Sequence, residues 1–188
     1  MAINFKKIIL DGFIELLEEY HLDNITITQI LENTGVSRQT FYNHFKDKND
    51  LIQYAYDVLI IPDFNGDFGC VDFKASLIKT LNQMKKYKKF MIQACKMNGQ
   101  NCLKEYIFDH CMNFDLKWHE HIYGGPLPEE LSFATIYHAN ASSSMTLSWV
   151  LGGMVVDAEE LAEMITNMRS IGMDVLFKDA NKNPYRKN

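Results

Sequence analysis

The chain is poor in the features that mark sheets, membrane spans and disulfide scaffolds. The absence of any pair of alternating apolar and polar runs joined by a hairpin signal argues against a β protein. No apolar run approaches the ~20 residues that cross a bilayer, so no membrane partner is expected. Glu15, Glu18 and Glu19 interrupt the apolar residues that follow Lys6 and Lys7 before a signal-peptide core could form. The four cysteines, Cys70, Cys95, Cys102 and Cys111, contain no CxxC pair, and their spacings of 25, 7 and 9 fit neither a zinc site nor a disulfide framework. Reduced thiols in a soluble, cytoplasmic protein are the simplest expectation.

Catalytic signatures are missing as well. There is no GxSxG, HExxH or Gly-rich phosphate loop, and the one ExxH, Glu18 to His21, has no second copy, whereas a helical-bundle metal enzyme needs one on each of two facing helices. His110 and Cys111 are adjacent and face different directions, while His119 and His121 lie more than two turns further along the same expected helix. One helix cannot gather them around a metal. Lys96 and Lys104 stand near Cys95 and Cys102, but no neighbouring cation clearly depresses a thiol pKa, and buried free cysteine is common, which disfavours a redox sensor. No catalytic residue, metal or cofactor is therefore assigned, and an enzyme or metal protein is the distant alternative.

Positive charge is scarce too. The chain carries a formal net charge of -5, and residues 1–50 hold five basic residues against eight acidic ones, a net charge of -3. Any nucleic-acid contact must rest on local charge. Residues 36–48 supply it, since Arg38, Lys46 and Lys48 outweigh Asp47 for a net +2 before His44 is counted.

What the sequence has in abundance is helical periodicity, with 47% hydrophobic residues to fill a core. Phe5, Ile9, Phe13, Leu16 and Tyr20 mark a first helix over Asn4–Tyr20. Thr26 and Gln29 have capping-box spacing ahead of a short second helix, which Gly35 ends. Ser37 is placed to cap a third helix through the Thr40 backbone N–H. Two short helices separated by a Gly-containing turn form a helix-turn-helix. On the third, Phe41 and Phe45 share the inward face, leaving Gln39 and Asn43 near the opposite side with Tyr42 beside them.

A fourth helix starts near Lys46 or Asp47 and ends at Pro62. The stretch IPDFNGDFGCVD reads as a loop, followed by helices over Phe73–Tyr87, Lys88–Met97, Cys102–Tyr123, Glu129–Gly152 and Asp157–Phe177, with a fraying tail. The expected fold is all-α, with a three-helix helix-turn-helix unit over residues 1–50 and a helical remainder over 51–188.

The run ITITQILENTGVSRQTFYNHFKDKNDL, residues 25–51, resembles the DNA-binding signature of the TetR family of bacterial transcription regulators. The order of its parts carries the resemblance: Thr before helix two, Gly-Val-Ser at the turn, aromatic-Tyr-x-His-Phe in helix three, then Lys and an acidic-Leu pair. Gln39 stands where the family frequently has a small residue. MTLSWVLGGMVVDAEELAEMI is similar to the corresponding segment in one branch of the family, which includes activators of dihydroxyacetone-kinase operons. The resemblance implies an all-helical homodimer, with a DNA-binding domain over 1–50 and an effector-binding and dimerisation domain over 51–188, that binds a palindromic site in double-stranded DNA and answers to an effector, most commonly as a repressor. Activation, or control by a protein partner, is the alternative.

On that basis helix three enters the major groove. Gln39 and Asn43 are the base-reading candidates, because a side-chain amide pairs bidentately with adenine. Arg38 either reads guanine or holds a phosphate. Thr26, Thr28, Ser37, Thr40, Tyr42, His44 and Lys48 are assigned to phosphates, with Thr26 and Ser37 also serving as helix caps. In the second part, Met84, Met91, Tyr106, Met112, Trp118 and Tyr137 are candidates to line a pocket for a small apolar effector, or else are ordinary core. The small residues in HANASSSMTLS allow close helix approach, as dimer interface or pocket wall. Ser144, Ser148, Trp149, Leu161, Met164 and Met168 are the dimer-interface candidates. The identity of the effector is not legible.

Overall fold

A computed structural model describes residues 3–62 and 68–173. Within them the chain forms α1 (Phe5–Glu19), α2 (Ile27–Thr34), α3 (Arg38–His44), α4 (Lys48–Leu59), α5 (Phe73–Lys86), α6 (Lys88–Lys96), α7 (Leu103–Tyr123), α8 (Glu129–Leu151) and α9 (Ala158–Met173), with short 3-10 turns at Leu22–Asn24 and Phe68–Cys70. No strand occurs among the described residues. Part of the expected loop, residues 63–67, and the expected end of the last helix with the tail, 174–188, lie outside them.

Local chemistry sets the helix boundaries. Asn4 accepts a hydrogen bond from the Lys7 N–H to open α1. Thr26 and Gln29 form both halves of a capping box at α2, which ends at Gly35 with φ 68°, a left-handed conformation that a β-carbon disfavours. Ser37 caps α3 through the Thr40 N–H, and Asp47 caps α4 through the Asp50 N–H while Asp50 accepts from the Lys46 N–H in return. The expected stripe on α1 turns slightly: Ile9, Leu10, Phe13 and Leu17 are buried, whereas Tyr20 is exposed, because the helix stops at Glu19. α1 crosses α2 at Gly12, where a β-carbon would lie 2.2 Å from the Thr34 methyl. The Gly12 carbonyl accepts from Asn33 there.

α1–α3 close over Ile9, Phe13, Ile30, Phe41 and Phe45 and join, without a break, the core of the longer helices. α6 makes the junction: Phe90 meets Phe13 edge to face, Gln93 accepts from the Leu22 N–H at 2.6 Å, and Lys89 donates to the Glu18 carbonyl. Asn49 and Gln53 of α4 donate to the Gln100 and Asn101 carbonyls, tying α4 to the turn before α7. The basic run at 85–89 is largely used internally, Lys85 on Asp157 and Lys88 on the Gly153 carbonyl. α7 packs along α8, and α5 along α9. With α4, these four helices enclose the cavity described next.

Candidate functional site

The first candidate surface is the outer face of α3. Phe41 and Phe45 are buried, so the 3.6-residue period turns Arg38, Gln39, Tyr42 and Asn43 outward, with no acidic side chain on the helix. Gln39 Nε2 donates to Asn43 Oδ1 at 2.9 Å, one turn apart, which holds both amides on one line. Arg38 Nη2 donates to Thr28 Oγ1 at 3.3 Å, linking α3 to the exposed start of α2. Ser37 and Thr40 share a hydroxyl contact of 2.8 Å, and His44, partly buried, stacks on Phe5. Thr26, Thr28, Ser37 and Tyr42 are exposed around this helix and Thr40 is half-buried. Such a face offers amide, hydroxyl and guanidinium groups suited to base edges and phosphate oxygens.

Lys48 departs from its expected place. Its ammonium donates to the carbonyls of Leu22 at 3.1 Å and Ile25 at 2.9 Å, with Asp23 at 3.5 Å, and burial lowers its pKa while Asp23 opposes the shift. Its donors bind the 3-10 turn before α2 rather than pointing outward, since the carbonyls of so short a turn can accept further hydrogen bonds. Lys48→Met is therefore expected to lower the thermal midpoint while leaving the slope of log affinity against log salt for DNA unchanged. Loss of about one counterion from that slope would restore the phosphate assignment.

The second candidate is a cavity of about 110 Å³ between α4, α5, α7, α8 and α9. Leu77, Met84, Ile107, Phe73 and Phe114 form its apolar body, and His110, Cys111, Asp115, Ser143 and Arg169 form a polar wall. Arg169 and Asp115 are both buried and make an ion contact of 2.7 Å. Arg169 Nε also donates to Ser142 Oγ at 2.9 Å and Nη2 to the His138 carbonyl at 3.3 Å, and the guanidinium lies 4.5 Å from the Phe73 ring centre. Burial pushes the Asp115 carboxyl up, and Arg169 opposes it. Burial lowers His110, with Asp57 and Asp115 opposing, and raises the Cys111 thiol to about 11, the nearby Ser143 hydroxyl pulling the other way. The Ser143 oxygen is buried with no hydrogen-bond partner among the described residues, a thiol being a weak one at most.

Of the expected pocket residues, Met84 lines the cavity. Met91 is fully buried in the main core. Tyr106 instead donates its hydroxyl to Asp57 Oδ2 at 2.6 Å, which with burial raises its pKa. Met112 is half-buried on α7 away from the cavity wall. Trp118 belongs to a second small core with Leu131 and Met173, and stacks on Phe73 behind the cavity. Tyr137 is exposed, since its position on α8 follows the outward stripe Phe133, Tyr137, Ala141, Ser144, Ser148 and Leu151. Two expected interface residues move the other way: Trp149 and Leu161 are buried, and Trp149 Nε1 donates to the Val156 carbonyl at 2.8 Å. Ser144, Ser148, Met164 and Met168 are exposed, Met164 and Met168 continuing to Ile171 along α9. Asp115 and Arg169 went unassigned from sequence. A signal existed: Arg169 shares the face of Leu161, Ala162, Ile165 and Met173, and a charge on an apolar face requires a buried partner.

His119 is buried on the same side of α7. Thr135 spends its proton on the Leu131 carbonyl at 2.8 Å, so the 2.8 Å contact with His119 Nδ1 requires an Nδ1–H donor. Burial, then Arg169 and His138, depress its pKa to about 3. Unfolded, the ring titrates near 6.5. Between these values the unfolded chain binds the extra proton, so the contribution of His119 is fully present above pH 6.5 and is lost as pH falls toward 3. The denaturation midpoint should fall across that window, and His119→Gln should flatten the fall.

Among the described residues no group of three or more His, Cys, Asp or Glu side chains could hold a metal, and no helix is long and apolar enough to cross a membrane. Residues 9–55 match the family described as bacterial regulatory proteins, tetR family, and residues 72–170 match a transcriptional regulator C-terminal region. The chain is 25% identical to the HTH-type dhaKLM operon transcriptional activator DhaS of Lactococcus lactis subsp. lactis (strain IL1403), over 89% of each protein. A solved structure titled dihydroxyacetone kinase operon activator DhaS shares the fold with a TM-score of 0.68 at 19% identity, covering 93% of this chain and 98% of that one. A TetR-family regulator from Syntrophomonas wolfei str. Goettingen does so with a TM-score of 0.61 at 19% identity, covering 90% and 93%. An all-helical chain with a DNA-binding helix-turn-helix at its start and a regulator C-terminal region behind it belongs to the TetR family of bacterial transcriptional regulators.

Proposed function

We propose that the protein is an effector-responsive regulator that binds a palindromic operator as a homodimer. The observation that carries this reading is the division of α3, with Phe41 and Phe45 anchored inside and an acid-free face of Arg38, Gln39, Tyr42 and Asn43 outside. In this reading Gln39 and Asn43 contact base edges, Arg38 a guanine or a phosphate, and Thr26, Thr28, Ser37, Thr40, Tyr42 and His44 the backbone. Residues 1–50 read DNA, and 51–188 bind the effector and the second copy. The exposed stripes on α8 and α9 support the dimer, because rows of small and apolar side chains without a partner mark an interaction surface.

The effector occupies the cavity. Tyr56 of α4 is part of its wall, and the next residue, Asp57, is bonded to Tyr106 of α7, so an occupant that favours one position of α4 changes the placement of α1–α3. Repression is the first reading of the sign. Activation is the second, favoured by the whole-length similarity to an operon activator.

Genomic fragments selected from the source organism by the purified protein test the proposal. Expected is a two-fold symmetric site with half-sites spaced by whole helical turns. Recovery of fragments without such symmetry would sink it. A reporter placed behind the recovered site then gives the sign, falling or rising when the protein is expressed.

A further inference from the structure

We infer that the cavity takes a compact, uncharged organic molecule with an apolar body and a single hydroxyl or carbonyl group, which meets Ser143. This rests on the cavity being the effector site. Three observations define the class. The first is size: at about 110 Å³ the space is somewhat smaller than a cavity of about 150 Å³ that admits benzene, so the occupant has about four to seven non-hydrogen atoms.

The second is charge. Arg169 is matched by Asp115 at 2.7 Å, and its Nε and Nη2 are already donated to Ser142 and the His138 carbonyl. The other titratable groups facing the space are the His110 ring, the Cys111 thiol and the Tyr56 phenol, and burial favours the neutral form of each. The walls thus carry no net charge. A carboxylate or ammonium entering them would give up its hydration with no opposite charge left to meet it.

The third observation is the orphan hydroxyl. Ser143 is buried at 3% relative exposure and lines the cavity, and among the described residues its oxygen has no hydrogen-bond partner beyond a weak contact with the Cys111 thiol. Buried hydroxyls are normally paired, and one polar atom on the occupant completes this one. The Thr80 hydroxyl is already donated to the Ser76 carbonyl and Ser142 accepts from Arg169, whereas Ser143 is buried with its bond unmet among the described residues.

Calorimetric titration of the full chain with phenol, benzene and cyclobutanecarboxylate, a carboxylate no larger than phenol, tests the inference. Phenol is expected to bind, the carboxylate at least about tenfold more weakly, and Ser143→Ala to weaken phenol by about five- to tenfold while leaving benzene within about twofold, the worth of one buried hydrogen bond. Because the Ser143 hydroxyl has at most a weak thiol contact to lose, the variant should keep the wild-type thermal midpoint, and the phenol–carboxylate contrast needs no variant at all. The carboxylate binding as tightly as phenol, or a phenol affinity that Ser143→Ala leaves within about twofold, overturns the inference alone. No binding by any of the three, with operator binding intact, overturns the cavity as effector site and the inference with it.

Discussion

Arg169→Met should cost about 3–5 kcal/mol of folding stability, because it strands the Asp115 carboxylate inside the protein. Arg169 and Asp115 are each about 97% buried, and the guanidinium ties α9 to α7 through Asp115 and to α8 through Ser142 and the His138 carbonyl. The loss is bounded from above by protonation. Burial already pushes Asp115 up, and without Arg169 to oppose that shift the carboxyl takes a proton at the expense of part of the penalty. Two consequences can be measured by chemical denaturation. Relative to the unsubstituted protein, the single variant should regain stability as pH is lowered toward the raised Asp115 pKa. The double variant Arg169→Met, Asp115→Asn should recover most of the loss, since removing both charges of a buried pair is often close to neutral. A single-variant cost under about 1 kcal/mol would show that the pair does not lock these helices.

Gln39→Ala and Asn43→Ala are each expected to weaken operator binding by about tenfold to a hundredfold, equivalent to about 1–3 kcal/mol for an amide that pairs with a base. Both side chains are exposed, so the fold should be untouched. Affinity for scrambled DNA, and the salt dependence of binding, should stay at wild-type values, because those report phosphate contacts. The two losses should not add. Gln39 and Asn43 are bonded to each other at 2.9 Å, so either truncation also releases the other amide from its preferred line. Fluorescence anisotropy with operator and scrambled duplexes distinguishes the cases. Equal weakening on both duplexes would remove Gln39 and Asn43 from base reading.

Local signals were legible because their physics is local. The Thr26–Gln29 capping box, the Gly35 terminus, the Ser37 cap and the Phe41–Phe45 inward face depend on residues within a turn or two of one another, and each occurs as its spacing implies. The expected helix ranges match to within one or two residues where they are described, except that α4 stops at Leu59, three residues before the expected Pro62. The resemblance of residues 25–51 rests on the same short-range order, and the family match over 9–55 agrees with it.

Faces of long helices were less legible. α8 is small and apolar on several sides, so its pattern did not separate the inward Trp149 from the outward Tyr137, and the two exchanged their expected places. Lys48 carries no mark in sequence of the carbonyls of a turn more than twenty residues earlier, which take up its ammonium. Met91 and Trp118 have the composition of a pocket lining, but neighbouring helices fill the space around them with core.

The sequence by itself determined an all-helical regulator with a helix-turn-helix at its start, because caps, turns and apolar periodicity act between near neighbours along the chain. Only the tertiary structure decided where an effector could sit and what it would meet there. Asp115, Ser143 and Arg169 stand on three helices, and a buried charge pair beside an unpaired hydroxyl exists only when packing brings those helices to one wall.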